Sequence, residues 1–345
     1  MLRTIGAKTI DELFREIPEN LRVKELNLPT ALDEARLQRH LHEISLKNVN
    51  LAEVDCYLGA GIYDRFIPAT VGAVISRGEF LTAYTPYQPE LSQGYLQTIY
   101  EFQSMVAELY GMDIANASMY DGSTAMAEAA ILASGVNGNG TIYVSDAVHP
   151  HYRQVLDTYC WSMDLKVETV PWTDHQAGRE TPFEDAACLI VQYPNFFGVI
   201  EDLSAAREAA DRSGALLIVV ADPTACALLK PPGEFGADIV VGEGQPLGVA
   251  MGFGGPLVGL FASKAQLIRR IPGRIVGLTT DPNGTPGYVM TLPPPKQNFP
   301  PFITGLIICH ELLKKVHTGS ACFLPPKKCT LCLKKYFLCC CLQPP

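Results

Sequence analysis

The sequence predicts an α/β protein, a three-layer α/β/α arrangement around a mostly parallel central sheet. Two observations carry that prediction. From about Ser92 onward, segments with helical periodicity alternate with short strand-like runs, the order expected when helices cross over between parallel strands. The run at 188–192 is apolar at consecutive positions rather than at every second one, which marks a strand covered on both faces. A chain of 345 residues with 48% hydrophobic and 18% charged residues fits a globular protein with one large domain and a smaller one.

In chain order, two helical segments open the sequence. Thr9 stands three residues before Glu12 and Thr30 three before Asp33, each a capping signature. In the second helix Leu37, Leu41 and Ile44 share a face that must pack on something, while His40 and His42 flank it as solvated side chains. A helix over 93–110 follows, with Leu96, Ile99, Tyr100, Val106 and Leu109 at helical spacing and Gly111 placed to end it. An alanine-rich helix begins near Ser123. Strands are expected at 141–144, 166–170, 188–192 and 216–220, with shorter apolar runs at 238–241 and 256–261. Helices open at Pro150 and span 203–212, the latter stopped by Gly214. Trp161 and Trp172 lie beside apolar runs and read as packing residues. Cys56, Cys160, Cys188 and Cys226 are widely spaced and read as buried free thiols.

The segments fall into three regions: a helical segment with an extended arm over 1–90, a large domain over 91–292, and a tail over 293–345. After Leu292 the composition changes abruptly, with seven lysines, the single acid Glu311, repeated Pro and Lys doublets and the triplet Cys339-Cys340-Cys341. Cys329 and Cys332 form a C-x-x-C with Cys322 and His317 nearby, but a second pair at regular spacing is missing, so no metal site is expected. Such repeats suggest a low-complexity, disordered segment produced by translation in a wrong frame or an assembly error. Without the tail the formal charge of −9 becomes about −15. An acidic body without a basic face argues against nucleic-acid binding. The first residues lack the pattern of a signal peptide and no stretch reaches the length of a membrane span, so a cytoplasmic protein without a membrane partner is expected.

Chemistry in a parallel-sheet protein belongs in loops beyond the carboxyl ends of the strands, where helix N-termini offer free N–H groups. Three such places stand out. The turn Tyr120-Asp121-Gly122-Ser123-Thr124 has the small polar residues that let a backbone approach a phosphate, and equally the makings of an ordinary helix cap. Asp222 ends a very apolar strand, where a carboxylate can pair with a pyridine nitrogen or simply make a turn. Some twenty residues later comes Gly242-Glu243-Gly244-Gln245-Pro246, where a Schiff-base lysine would be expected and Gln245 cannot serve.

Together with the string Thr85-Pro86-Tyr87-Gln88-Pro89-Glu90-Leu91-Ser92-Gln93-Gly94, these segments resemble the P-protein of the glycine cleavage system. Specifically, residues 1–292 look like the first subunit of its two-subunit form, which is homologous to the N-terminal half of the fused enzyme. The resemblance implies the large domain of a fold-type-I pyridoxal-phosphate transferase. It implies a two-plus-two tetramer with a lysine-bearing partner that holds pyridoxal 5'-phosphate covalently, decarboxylates glycine, and passes the aminomethyl group to the lipoyl arm of the H-protein. In that reading Gln245 replaces the lysine, Asp222 stands where the partner has its pyridine-binding acid, Ser123 and Thr124 at the phosphate loop, and His149 at the ring-stacking histidine. Tyr87, Gln88 and Glu90 are placed near the partner and its active site. The chain departs from the family in starting a little late and in lacking, after Leu292, the helical segment and small C-terminal domain, a loss expected to expose apolar surface.

Two other readings are weighed against this one. An independent pyridoxal-phosphate enzyme would need another lysine, and Lys230 lies in a proline-bounded loop suited to a solvated amine. A scaffold or regulatory subunit that only shapes its partner's site would need none of these residues for chemistry.

Overall fold

A computed structural model of the chain describes residues 1–290 except 24, 52, 58, 82–83, 174–175, 178–182, 253–254 and 282. The tail over 293–345, with its expected disorder and its Cys329–Cys332 pair, lies outside the described residues. The chain divides into a unit Met1–Asp55 and a second unit from Cys56 onward.

The first unit holds helix α1 (Leu2–Ile5), two single 3₁₀ turns (Asp11–Phe14 and Glu19–Leu21) and helix α2 (Glu34–Ser45). Both expected capping signatures are displaced. The first segment is only a 3₁₀ turn whose N-cap is Ile10 rather than Thr9, and Glu12 instead accepts the Lys8 N–H at 2.8 Å. In α2 the cap is Asp33, whose carboxylate accepts the Arg36 N–H at 2.9 Å. An aspartate directly before the first helical residue supplies the acceptor that Thr30 would have offered from one turn too early. The stripe of Leu37, Leu41 and Ile44 remains exposed, as do His40 and His42.

The second unit begins with helices α3 (Ala69–Ile75), α4 (Gly78–Leu81) and α5 (Gln93–Tyr110), then strand β1 (Ile114–Ala115), α6 (Gly122–Asn137), β2 (Thr141–Ser145), α7 (Pro150–Trp161) and β3 (Lys166–Val170). A two-residue pair, β4 (Trp172–Thr173) with β5 (Gln176–Ala177), precedes β6 (Ala186–Tyr193), α8 (Leu203–Ser213), β7 (Leu216–Ala221), β8 (Ile239–Glu243) and β9 (Gly259–Ser263). A hairpin of β10 (Gly277–Thr280) and β11 (Pro286–Val289) follows.

Seven strands form one sheet in the order β1-β9-β8-β7-β6-β2-β3. The five from β8 to β3 are parallel, while β9 runs antiparallel to both β8 and β1. Strand β1 escapes the sequence reading because two residues carry no periodicity. Along the central strands alternate residues enter opposite cores. Leu189, Val191, Leu217, Val219 and Val240 meet Val106 and Tyr110 of α5 and Leu203, Ala206 and Ala210 of α8. Ile190, Ile218, Val220, Ile239 and Val241 meet the alanines of α6 and Leu156 and Cys160 of α7. Burial on both faces is the reason these strands read as unbroken apolar runs. Helix α5 ends where expected, with Gly111 in the left-handed region at φ 66° donating its N–H to Ala107 O and Glu108 O.

At the amino end of β8, Asp238 ties the sheet to α8. It accepts Arg207 Nη1 at 2.7 Å, Lys264 Nζ at 2.5 Å and the Leu217 N–H at 2.9 Å. Of the four body cysteines, Cys160, Cys188 and Cys226 are buried but Cys56 is exposed. It sits in a stretch without helix or strand, so no packed layer covers it. Trp172 is partly buried and stacks near Phe197 at 6.1 Å between ring centroids. Trp161, in contrast, is 81% exposed at the last residue of α7, on the face turned from the sheet, so it is no packing residue in this chain.

Candidate functional site

The carboxyl ends of β2, β6, β7 and β8 bring most of the sequence-selected residues into one region. Helix α6 starts there with a full capping box. Asp121 accepts the Thr124 N–H at 2.7 Å and the Thr124 hydroxyl at 2.6 Å, and Thr124 Oγ1 in turn accepts the Asp121 N–H at 3.2 Å. The Ser123 hydroxyl also donates to Asp121, at 2.9 Å to each carboxylate oxygen. Both hydroxyls proposed for a phosphate are thus turned onto an internal carboxylate.

A second carboxylate completes the arrangement. Glu243, at the end of β8, accepts the Gly122 N–H at 3.1 Å on one oxygen and the N–H groups of Gln245 at 2.9 Å and Val258 at 3.0 Å on the other. Burial pushes the Glu243 carboxyl above its ordinary value, against the pull of those three donors. Asp121 and Glu243 therefore place two carboxylates where a helix N-terminus would otherwise present N–H groups to an anion. The close approach needs glycine at 122, because a Cβ there would overlap the Tyr152 hydroxyl.

Gln245 is 2% exposed, in a 3₁₀ turn over Gln245–Leu247. Its amide donates to Val249 O at 2.7 Å and to Tyr63 O at 3.3 Å, and its oxygen accepts the Tyr63 N–H at 3.4 Å. His149 caps α7, accepting the His151 N–H on Nδ1 at 3.1 Å. That fixes the tautomer, so Nε2 donates to Ala60 O at 2.8 Å. Its ring stacks on Tyr152 at 5.0 Å and meets the edge of Phe196 at 4.8 Å. Burial holds the imidazole below its ordinary value, against the Ala60 bond that favours the cation. Asp222, just past β7, uses Oδ1 to accept the Thr224 N–H at 2.8 Å and the Thr224 hydroxyl at 2.7 Å, an Asx turn. Tyr110 lies beneath it, its hydroxyl donating to Ala221 O at 3.1 Å and its pKa driven up by burial.

The string around Tyr87, Gln88 and Glu90 is seated elsewhere. Arg274 lies over the Tyr87 ring and donates to its hydroxyl at 3.2 Å, and Gln93 bridges Pro89 O and the backbone of Tyr288. The side chains of Tyr87, Gln88 and Glu90 are exposed. Lys230 sits over the Phe235 ring at 4.4 Å, and Lys264 is engaged by Asp238. Among the described residues no group of three or more His, Cys, Asp or Glu could hold a metal, and no helix is long and apolar enough to cross a membrane.

The family model for the glycine cleavage system P-protein matches residues 1–299. The chain belongs to the P-protein family. A protein of Geobacillus thermodenitrificans described as "Probable glycine dehydrogenase (decarboxylating) subunit 1" is 51% identical over 297 residues, 85% of this chain and 66% of that protein. A Listeria welshimeri protein with the same description is also 51% identical over the same shares. The chain therefore spans 66% of the length of these P-protein relatives. A crystal structure of glycine decarboxylase (P-protein) in inhibitor-bound form matches with a TM-score of 0.80 and 38% identity, over 98% of this chain and 74% of that one. A Burkholderia pseudomallei sphingosine-1-phosphate lyase, 16% identical with a TM-score of 0.52 over 79% of this chain and 67% of that one, shares the fold alone. The fold is thus that of the fold-type-I large domain, and pyridoxal phosphate is the cofactor that the resemblance to the P-protein implies.

The residues of this chain do not fit that cofactor. Position 245 carries no amine, the hydroxyls of Ser123 and Thr124 and the N–H groups of Gly122 and Thr124 already serve two carboxylates, and Asp222 Oδ1 is engaged in its own turn. The helix-cap reading of the turn 120–124 fits, with Asp121 as the cap; sequence reading did not single out that carboxylate and missed Tyr152, the role of Glu243, and residues 60–63. Asp121 was legible as an aspartate three residues before Thr124; the others meet only in space.

Proposed function

We propose that this chain is the lysine-lacking subunit of a two-subunit glycine decarboxylase, with residues 91–292 as its large domain and 1–90 as a helical segment and arm. It works beside a lysine-bearing second subunit in a two-plus-two tetramer in the cytoplasm. That partner holds pyridoxal 5'-phosphate covalently, and the complex decarboxylates glycine and loads the aminomethyl group onto the lipoyl arm of the H-protein. Gln245 carries the reading: a buried amide at the end of β8, bonded to backbone on two sides, stands where only an amine could hold the cofactor. Ser123, Thr124, His149 and Asp222 then form a degenerate copy of a cofactor pocket that shapes the subunit. Tyr87, which Arg274 holds, and Gln88 and Glu90, all exposed, face the partner.

Mixing this chain with the lysine-bearing subunit and measuring glycine-dependent carbon dioxide release tests the assignment. Activity that needs both chains is expected. Equal activity of the partner alone refutes it, and a pyridoxyl adduct on Lys230 or Lys264 after borohydride reduction would establish an independent enzyme instead.

A further inference from the structure

We infer that the degenerate pocket is filled from within. Gln245 and His149 latch the chain's own segment 60–63 into it, and the carboxylates of Asp121 and Glu243 occupy the place of a phosphate at the start of α6. The inference rests on the reading of these positions as the counterpart of a cofactor site, and it assigns each a present occupation.

The latch has two ends. Gln245 treats the backbone of Tyr63 as a neighbouring strand would, donating to its carbonyl and accepting its N–H, while the same amide nitrogen is held by Val249 O. Three residues earlier, Ala60 O accepts the His149 Nε2–H. Between them Gly61 has φ 90°, and a Cβ on it would lie 3.5 Å from the His149 ring, so the segment crosses the imidazole at contact distance. The Nε2–Cδ2 edge of the imidazole is thus taken up by backbone, while Tyr152 stacks on the ring. The segment continues into α3, where Val71 lies 3.8 Å from where a Cβ on Gly248 would stand, so the turn after Gln245 also supports the next helix. A neutral His149 suits this task, since its one N–H is spent on Ala60 and its lone pair on the cap of α7.

The anion end is closed by the same logic. Gly122 N–H goes to Glu243 and Thr124 N–H to Asp121, and an incoming phosphate would meet two carboxylates in place of these two donors. Tyr152 joins the two ends, stacked on His149 and packed against Gly122.

Hydrogen–deuterium exchange of the full chain tests the latch directly. In Gln245→Met, which keeps the volume and removes the amide, peptides covering 59–66 should exchange about tenfold faster or more while those of β6 keep their protection. Gly61→Ala, which strains a left-handed position and crowds His149 without removing the hydrogen-bonding groups of either clamp, should have the same local effect. Unchanged exchange at 59–66 in a folded Gln245→Met protein overturns the latch. For the anion end, inorganic phosphate should leave the melting temperature of the wild type unmoved and raise that of Asp121→Ser/Glu243→Gln. Equal stabilisation of wild type and variant overturns the carboxylates' role. A loosened segment in the variants together with no activity of the wild-type mixture would retain the latch and discard the enzyme-subunit reading.

Discussion

Replacing Asp238 gives a stability loss whose parts can be assigned bond by bond. The residue is 8% exposed, with Oδ2 accepting Arg207 Nη1 and the Leu217 N–H and Oδ1 accepting Lys264 Nζ. Asp238→Asn can still offer its oxygen to Arg207 and Leu217 if its nitrogen turns toward Lys264. The Lys264 side chain is 37% exposed and can swing into water, so its pair is worth less than about 1 kcal/mol. Neutralising the acceptor that faces Arg207, only 17% exposed, costs about 1–2 kcal/mol more. The Asn variant should therefore lose about 2 kcal/mol. Asp238→Ala also strands the N–H of fully buried Leu217 and leaves the guanidinium with Asp211 and backbone carbonyls, raising the loss to about 4–5 kcal/mol. Urea denaturation reads both as a shift of midpoint at constant slope. Burial alone would raise the Asp238 carboxyl, but Lys264, the Leu217 N–H and Arg207 outweigh it and hold it below its ordinary 3.8. A folded value below the unfolded one stabilises above pH 3.8, and that contribution is lost as pH falls through the folded value. The gap between wild type and Asn should narrow only in that acidic range. Equal losses for Asn and Ala, or an Ala loss under about 2 kcal/mol, would refute this account.

Two further outcomes follow from the site. Gly242→Ala places a Cβ against Ala221 O and the Tyr110 hydroxyl, where backbone on one side and a fully buried ring on the other cannot yield; a loss of about 1–3 kcal/mol or more in urea unfolding is expected, and a neutral result would mean that β7 and β8 can separate. The His149 imidazole should titrate below its ordinary 6.5, because burial outweighs the Ala60 bond. Its stabilising contribution is then complete above pH 6.5 and is lost as pH falls through the folded value; an NMR titration placing His149 at or above 6.5 would refute burial as the dominant influence on the ring.

Much of the architecture is legible in the sequence because strands buried on both faces and helices with one apolar stripe leave periodic marks. The runs at 188–192 and 216–220 fall inside β6 and β7, and the helix over 93–110 coincides with α5. The missing amine at position 245 is legible too, since its chemistry depends on residue type alone. Local acceptors were harder to place: Asp33 caps α2 where Thr30 was expected, because a one-turn offset is invisible to a spacing rule. Only the tertiary structure decides what Gln245 and His149 now hold, since residues 60 and 63 lie 89 and 182 positions away along the chain and carry no pattern that announces their partners. It likewise decides that Glu243 serves α6 rather than solvent, because β8 ends beside α6 only once the sheet is assembled. Residue type and periodicity fix which chemistry a position can perform and which face it turns inward; the partner it meets depends on a contact between distant segments that only the folded chain creates.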